Sequence, residues 1–273
     1  MPKVTRAPRA GTATPRAPDR RALLPHFRRV DPVMAALVET VGPYRLRAEA
    51  CDSPFRHLVQ AIASQQISGR AADTILARFF ALYAGSGDAR SGDDFPTPAQ
   101  VHATPPDRLR SVGFSTAKSA ALKDLAAHTL SGVVPDSATL TALADAEIVA
   151  RLTQVRGIGP WTVQMMLMFQ LGRPDVLPVD DYGVRNGFRL AYGLAELPTP
   201  RELARHGACW APYRSAAAWY LWRAVDLARA GVPMPISPRA RAASSSAPRP
   251  RPGARTPSHR RPARRPRAPA SKR

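Results

Sequence analysis

Two short stretches carry the residue types that could do chemistry. In the first, Gly157-Ile158-Gly159 interrupts two apolar helical patterns. Its glycines are free to take positive φ, and Pro160 suits the first turn of a new helix, where its missing N–H would have no intrahelical partner. A helix, tight turn and helix of this kind points backbone N–H groups outward at a positive helix terminus, a natural seat for a phosphate; an αα-hairpin serving only as packing is the plain alternative. In the second stretch, Asp180 and Asp181 open the next helix. Either carboxylate can cap it, and the helix dipole favours a negative charge there. Consecutive helical residues lie ~100° apart around the axis, so the pair cannot both face one target. One cap beside a solvated neighbour is the plain alternative.

The elements that must hold these residues are helical. Ile148, Val149, Leu152 and Val155 recur at helical spacing behind Asp145, a candidate cap. The segment after Pro160 is apolar on nearly every face (Trp161, Val163, Met165, Met166, Leu167, Met168, Phe169, Leu171), which predicts a helix buried in the middle of a bundle. Upstream, Asp31-Pro32, Ser53-Pro54, Ser68, Thr97-Pro98, Thr104-Pro105 and Ser115 each announce a helix start. Residues 85–94 are rich in Gly, Ser and Asp and read as a loop. Downstream, helices are expected from Asp181, near Thr199, and from Pro212 to about Ala230. No period-two run is long enough for a sheet, so the fold class is all-α, with about ten helices.

Charge divides the chain. Of a net +20, residues 1–29 carry eight Lys/Arg against Asp19, and residues 239–273 carry eleven Arg plus Lys272 with no acid, leaving the middle nearly neutral. Both ends are rich in Pro, Ala, Ser and Arg and are expected to be disordered basic tails, 1–29 and 237–273, flanking one domain over 30–236. A polycation beside a folded domain implies a polyanion, and nucleic acid is the leading candidate. Cys51 and Cys209 lie too far apart in the chain to suggest a disulfide framework or a metal cluster. No stretch has ~18 uninterrupted apolar residues, and the basic N-terminus lacks the apolar segment of a signal peptide. The expectation is a soluble, cytoplasmic, nucleoid-associated monomer with no membrane partner.

Several motifs together resemble one family. Gly157-Ile-Gly-Pro-Trp-Thr162, a buried helix and Leu177-Pro-Val-Asp-Asp-Tyr-Gly-Val-Arg185 look like the signature of the helix-hairpin-helix (HhH-GPD) DNA glycosylase superfamily, of the 3-methyladenine glycosylase II type. Ile62-Ala-Ser-Gln-Gln-Ile-Ser68, Val112-Gly-Phe-Ser-Thr-Ala-Lys118 and Pro212-Tyr-Arg-Ser215 with Trp222 resemble that family in the same order. The resemblance covers about residues 30–232, with the hairpin unit at 146–171.

It implies two helical subdomains with the active-site cleft between them. It also implies base excision repair: an alkylated purine of the 3-methyladenine or 7-methylguanine type is flipped from duplex DNA and its N-glycosidic bond hydrolysed. By family pattern Asp181 is the catalytic carboxylate, with Asp180 the second choice. Trp161, Trp222, Tyr182 and Met165 would form the base pocket, where aromatic faces attract a cationic base. Gly157, Ile158, Gly159, Trp161 and Thr162 would grip the DNA backbone, Gln66 would fill the gap left by the flipped base, and Arg214 and Ser215 would add DNA contacts. The strand-cutting members' Schiff-base lysine is replaced by Trp161, so no AP-lyase activity is expected. Two distant cysteines cannot supply an iron–sulfur cluster, so no cofactor or catalytic metal is expected; a structural monovalent cation at the hairpin is compatible with the pattern. The competing readings are a non-catalytic helix-hairpin-helix binding module, and a glycosylase for uracil or an oxidised purine.

Overall fold

The structure, a computed structural model, describes residues 20–49, 52–84 and 95–233. Among them are thirteen α-helices, one 3-10 turn and no strand. The expected loop at 85–94, Cys51 and the expected tails over 1–19 and 237–273 lie outside the described residues.

The first helix corrects the sequence reading. Residues 20–29, assigned above to the N-terminal tail, belong to α1 (Arg20–Val30). Its Leu23 and Phe27, one turn apart, are 2 % and 0 % exposed in the core, while Arg28 pairs with Glu39 at the surface. Four apolar positions on one stripe suffice to dock a helix whose remaining residues are mostly basic.

Cap chemistry sets most of the other boundaries. Asp31 caps α2 (Pro32–Val41), Ser53 caps α3 (Pro54–Ser64) and Ser68 caps α4 (Gly69–Ala81), each accepting first-turn amides through its side chain. After the short α5 (Pro98–Ala103) and α6 (Pro106–Ser111), Ser115 caps α7 (Thr116–Leu130). The short α8 (Ser137–Ala142) leads into α9 (Asp145–Leu152), where Asp145 is the first helical residue and Ala144 the cap. Asp145 instead sits 3.0 Å from the buried guanidinium of Arg173. The hairpin joins α9 to α10 (Pro160–Phe169), and Asp181 caps α11 (Tyr182–Tyr192). A capping box between Thr199 and Glu202 opens α12 (Pro200–Gly207), and α13 (Arg214–Arg229) closes the described part.

These helices pack in two groups around a continuous core. α1, α2, α11, α12 and α13 form one subdomain, and α3 to α7 form the other, while α10 packs against α9 between them. Within the first group α11 lies very close to α13. Gly183 and Gly187, one turn apart on α11, make that approach possible: a Cβ at Gly187 would fall 1.9 Å from the Leu221 carbonyl oxygen. α2 is pinned to the same group by Asp31. Its Oδ2 accepts from Tyr192, His206 and Trp210 at 2.5, 2.8 and 2.7 Å, and its Oδ1 accepts the amides of Val33 and Met34. Burial alone would raise this carboxyl, but the bonds from His206, Tyr192, Trp210 and the Met34 amide outweigh it and bring the pKa down from 3.8 to about 2.

Candidate active site

The hairpin is narrower in its use of glycine than its sequence suggests. Gly157 takes φ +80°, a left-handed conformation that disfavours side chains, whereas Gly159 is extended and caps α10. The Ile158 side chain is 4 % exposed and plugs the turn into the core, and its N–H is spent on the Val155 carbonyl. Asp124 accepts the Arg156 amide at 2.7 Å and holds the turn from α7. The amides of Gly159, Trp161 and Thr162 take no backbone partner among the described residues, so they form the open end of the helix dipole.

Helix α10 is not buried all round. Val163, Met166, Leu167 and Met168 are buried, but Trp161 is 47 % exposed. Trp161, Met165 and Phe169, at i, i+4 and i+8, lie on the helix stripe that faces a cavity of about 740 Å³. The opposite wall is α3 from His57 onward and the turn after it, with Ser64, Gln65 and Gln66. Periodicity could not reveal this, because a helix facing an apolar-lined cavity reads like one facing a core.

Asp181 does not itself line this cavity but is joined to it through Trp161, and it is held by three donors. Its Oδ1 accepts the Val184 amide at 2.7 Å and Trp222 Nε1 at 2.9 Å, and its Oδ2 accepts Trp161 Nε1 at 2.8 Å. Trp222, expected in the base pocket, does not line the cavity itself but stacks on Phe169, which does, with ring centroids 5.8 Å apart. Asp180 is exposed. The structure therefore brings Asp181, Trp161, Trp222, Met165, Gln66 and the hairpin together.

Two expected site residues are placed elsewhere. Ser215 is 1 % exposed; its hydroxyl donates to the Arg173 carbonyl at 2.6 Å and accepts the Val176 amide, so it braces the loop before α11 and is out of reach of a duplex. Tyr182 is 69 % exposed, at the first position of α11, and does not line the cavity. Arg214 remains half-buried at the surface with its guanidinium engaged on both oxygens of Asp175.

Residues of the motifs at 62–68 and 112–118 also shape the site, Lys118 and Gln65 in ways the motifs did not specify. Lys118 Nζ donates to the carbonyls of Ala63 and Gln65 at 2.7 and 2.8 Å, closing the C-terminus of α3; burial pulls this ammonium below its ordinary value. Gln65 Nε2 donates to the Gly157 carbonyl at 2.9 Å, tying the turn after α3 to the hairpin. Next to it Gln66 takes φ +58° and is exposed, a backbone state that costs a non-glycine residue of order 1 kcal/mol and that neighbouring contacts must hold.

An all-α bundle with a hairpin between two helical groups and a capped carboxylate beside an aromatic cavity defines a class of DNA repair protein. The HhH-GPD superfamily of base excision DNA repair proteins matches residues 59–212, more than half the chain, and the protein belongs to that superfamily. Among curated relatives, DNA-3-methyladenine glycosylase 1 of Schizosaccharomyces pombe is 39 % identical over 204 residues, spanning 74 % of this chain and 86 % of the relative. Two solved structures are similar. One is an S. pombe 3-methyladenine DNA glycosylase in complex with abasic DNA (38 % identity, TM-score 0.64, 76 % of this chain and 98 % of that one). The other is a DNA-3-methyladenine glycosidase from Bacillus halodurans (30 %, TM-score 0.68, 80 % and 94 %). No helix among the described residues is long and apolar enough to cross a membrane.

Proposed function

We propose that the protein is a monofunctional DNA glycosylase that excises alkylated purines, of the 3-methyladenine and 7-methylguanine type, from duplex DNA. The observation that carries this reading is Asp181: a carboxylate beside an aromatic cavity, fixed by three N–H donors at a helix N-terminus. The names of the relatives support the lesion class.

The chemistry follows from charge. A purine alkylated at N3 or N7 is a cation, so aromatic faces lining the cavity attract it by ~0.5–2 kcal/mol each. When the C1′–N bond breaks, its electron pair returns to the base, which leaves neutral and needs no general acid. The sugar becomes oxocarbenium-like, and the Asp181 carboxylate stabilises the growing positive charge. Water then adds at C1′ and loses a proton. The steps so written use no metal or redox group. The hairpin amides hold the phosphate backbone, and Gln66 enters the stack in place of the flipped base.

Strand cleavage would require an amine to attack C1′. Trp161 occupies the position after the hairpin where strand-cutting relatives carry that lysine. Lys118 and Lys123, the lysines among the described residues, direct their Nζ atoms at the carbonyls of Ala63, Gln65, His102 and Thr104. Both features support a glycosylase without lyase activity.

The test is release of free base from methylated duplex DNA, resolved by chromatography, for the wild type, Asp181→Asn and Asp180→Asn. Release by the wild type and Asp180→Asn, with a loss of at least ~100-fold in Asp181→Asn, is the expected result. Loss in Asp180→Asn alone moves the carboxylate to Asp180. Tight duplex binding with no release by any of them leaves a binding module or a glycosylase for a different lesion, which uracil- and oxidised-purine-containing duplexes then separate.

A further inference from the structure

Asp181 receives more hydrogen bonds than a helix cap needs. The Val184 amide alone satisfies the cap on Oδ1. The two additional donors are indole N–H groups, one on each oxygen, from helices far apart in sequence: Trp161 from the first turn of α10 and Trp222 from α13. Donors converging on both oxygens fix the plane of a carboxylate, which a single cap bond leaves free to rotate about χ2. Trp161 is nearly half exposed, so core packing does not explain its orientation. The backbone is also cut away for the second bond. A Cβ at Gly183 would lie 2.8 Å from Trp222 Cδ1, 3.0 Å from its Nε1 and 3.1 Å from Asp181 Oδ1.

We propose that Trp161 and Trp222 are positioning residues that aim the Asp181 carboxylate through their indole N–H groups, a role separate from any contact their ring faces make with a base. The inference rests on the glycosylase reading above. It also couples two parts of the site. Trp161 follows the hairpin directly, and Gln65 ties the hairpin to the Gln66 turn, so a duplex seated on the hairpin amides bears on the carboxylate through one indole.

The test separates the N–H from the ring. Each tryptophan is replaced by β-(3-benzothienyl)alanine, which keeps the bicyclic face and puts sulfur where the N–H was, with Trp→Phe variants alongside. Three quantities are read: the single-turnover rate of 7-methylguanine release, the affinity for a duplex carrying a tetrahydrofuran abasic analogue, and Tm. A carboxylate displaced by a fraction of an ångström is expected to slow cleavage by roughly 10- to 100-fold, with affinity and Tm unchanged. Gly183→Ala, whose Cβ would crowd both Trp222 and Asp181 Oδ1, should also slow it, with a fall in Tm that the benzothienyl variants do not show. Benzothienyl variants that cleave at the wild-type rate, or that lose rate and affinity in equal measure, overturn the proposal. A wild type that releases no base overturns the glycosylase reading instead. Indole resonances supply an arm independent of activity. In ¹H–¹⁵N spectra, Asp181→Asn keeps the cap acceptor but loses one oxygen, so it should move a Trp161 or Trp222 Nε1–H peak and leave that of Trp210, bonded to Asp31, in place. Peaks of Trp161 and Trp222 that both stay put also overturn the proposal.

Discussion

At the scale of single residues, the structure separates aspartates that sequence alone treats alike. Asp180 and Asp181 are adjacent and identical in type, yet only Asp181 faces the two indoles. Asp31 begins a helix just as Asp181 does, but it is 4 % exposed and serves the interior. Its folded pKa of about 2 lies below the unfolded value of 3.8, so its stabilising contribution is fully present above about pH 4 and disappears as pH falls through about 2. A shift of that size corresponds to roughly 2 kcal/mol at neutral pH. Asp31→Asn should therefore lower the urea unfolding free energy by roughly 2–3 kcal/mol at pH 7, with the gap from the wild type closing as pH approaches 2. A gap independent of pH would show that the carboxylate's charge contributes nothing.

At the scale of elements, the distance between α11 and α13 sets the site. α11 carries Asp181 at its cap and α13 carries Trp222, and their contact at Gly187 and Leu221 leaves no room for a methyl group. Gly187→Ala should force the helices apart and cost about 3 kcal/mol, lowering Tm by roughly 5–10 °C. Because Trp222 moves with α13, base release should fall further than the loss of folded protein explains. A Tm within 1 °C of the wild type, checked by calorimetry, would mean the helices slide rather than separate, an adjustment that costs about 0.5 kcal/mol or less at this chain length.

At the scale of the whole molecule, the positive charge is concentrated at the two ends of the chain. Residues 239–273 hold twelve positive charges and no acid, while the middle of the chain is nearly neutral. Arginines without a pattern bind phosphates by releasing counterions, each contact adding about 0.9 to the slope of log K against log salt. Deleting residues 239–273 should flatten that slope and weaken duplex binding most at low salt. Single-turnover base release at saturating protein should not change. An unaltered slope would show that the segment does not touch DNA.

Much of this was legible in the chain. Caps such as Asp31, Ser53, Ser68, Ser115 and Thr199 were readable because capping is a contact across three residues, and the hairpin because a Gly-x-Gly break with a following proline is a local backbone signal. The motifs in register identified the family. Sequence reading failed where the deciding contact was distant. α1 was taken for tail because its few apolar residues gain meaning only from the core that receives them. Ser215 read as a surface contact because nothing nearby in sequence shows that α13 buries it against Arg173. Helix α10 read as fully buried because a cavity wall and a core have the same periodicity. By itself, then, the sequence determined most of the helices and their caps, the hairpin and the two candidate carboxylates, all of them products of short-range hydrogen bonding and apolar spacing. Only the tertiary structure decided which aspartate is held, and by what, because Trp161 and Trp222 reach Asp181 across 20 and 41 residues of chain, and only packing brings such distant groups to one oxygen pair.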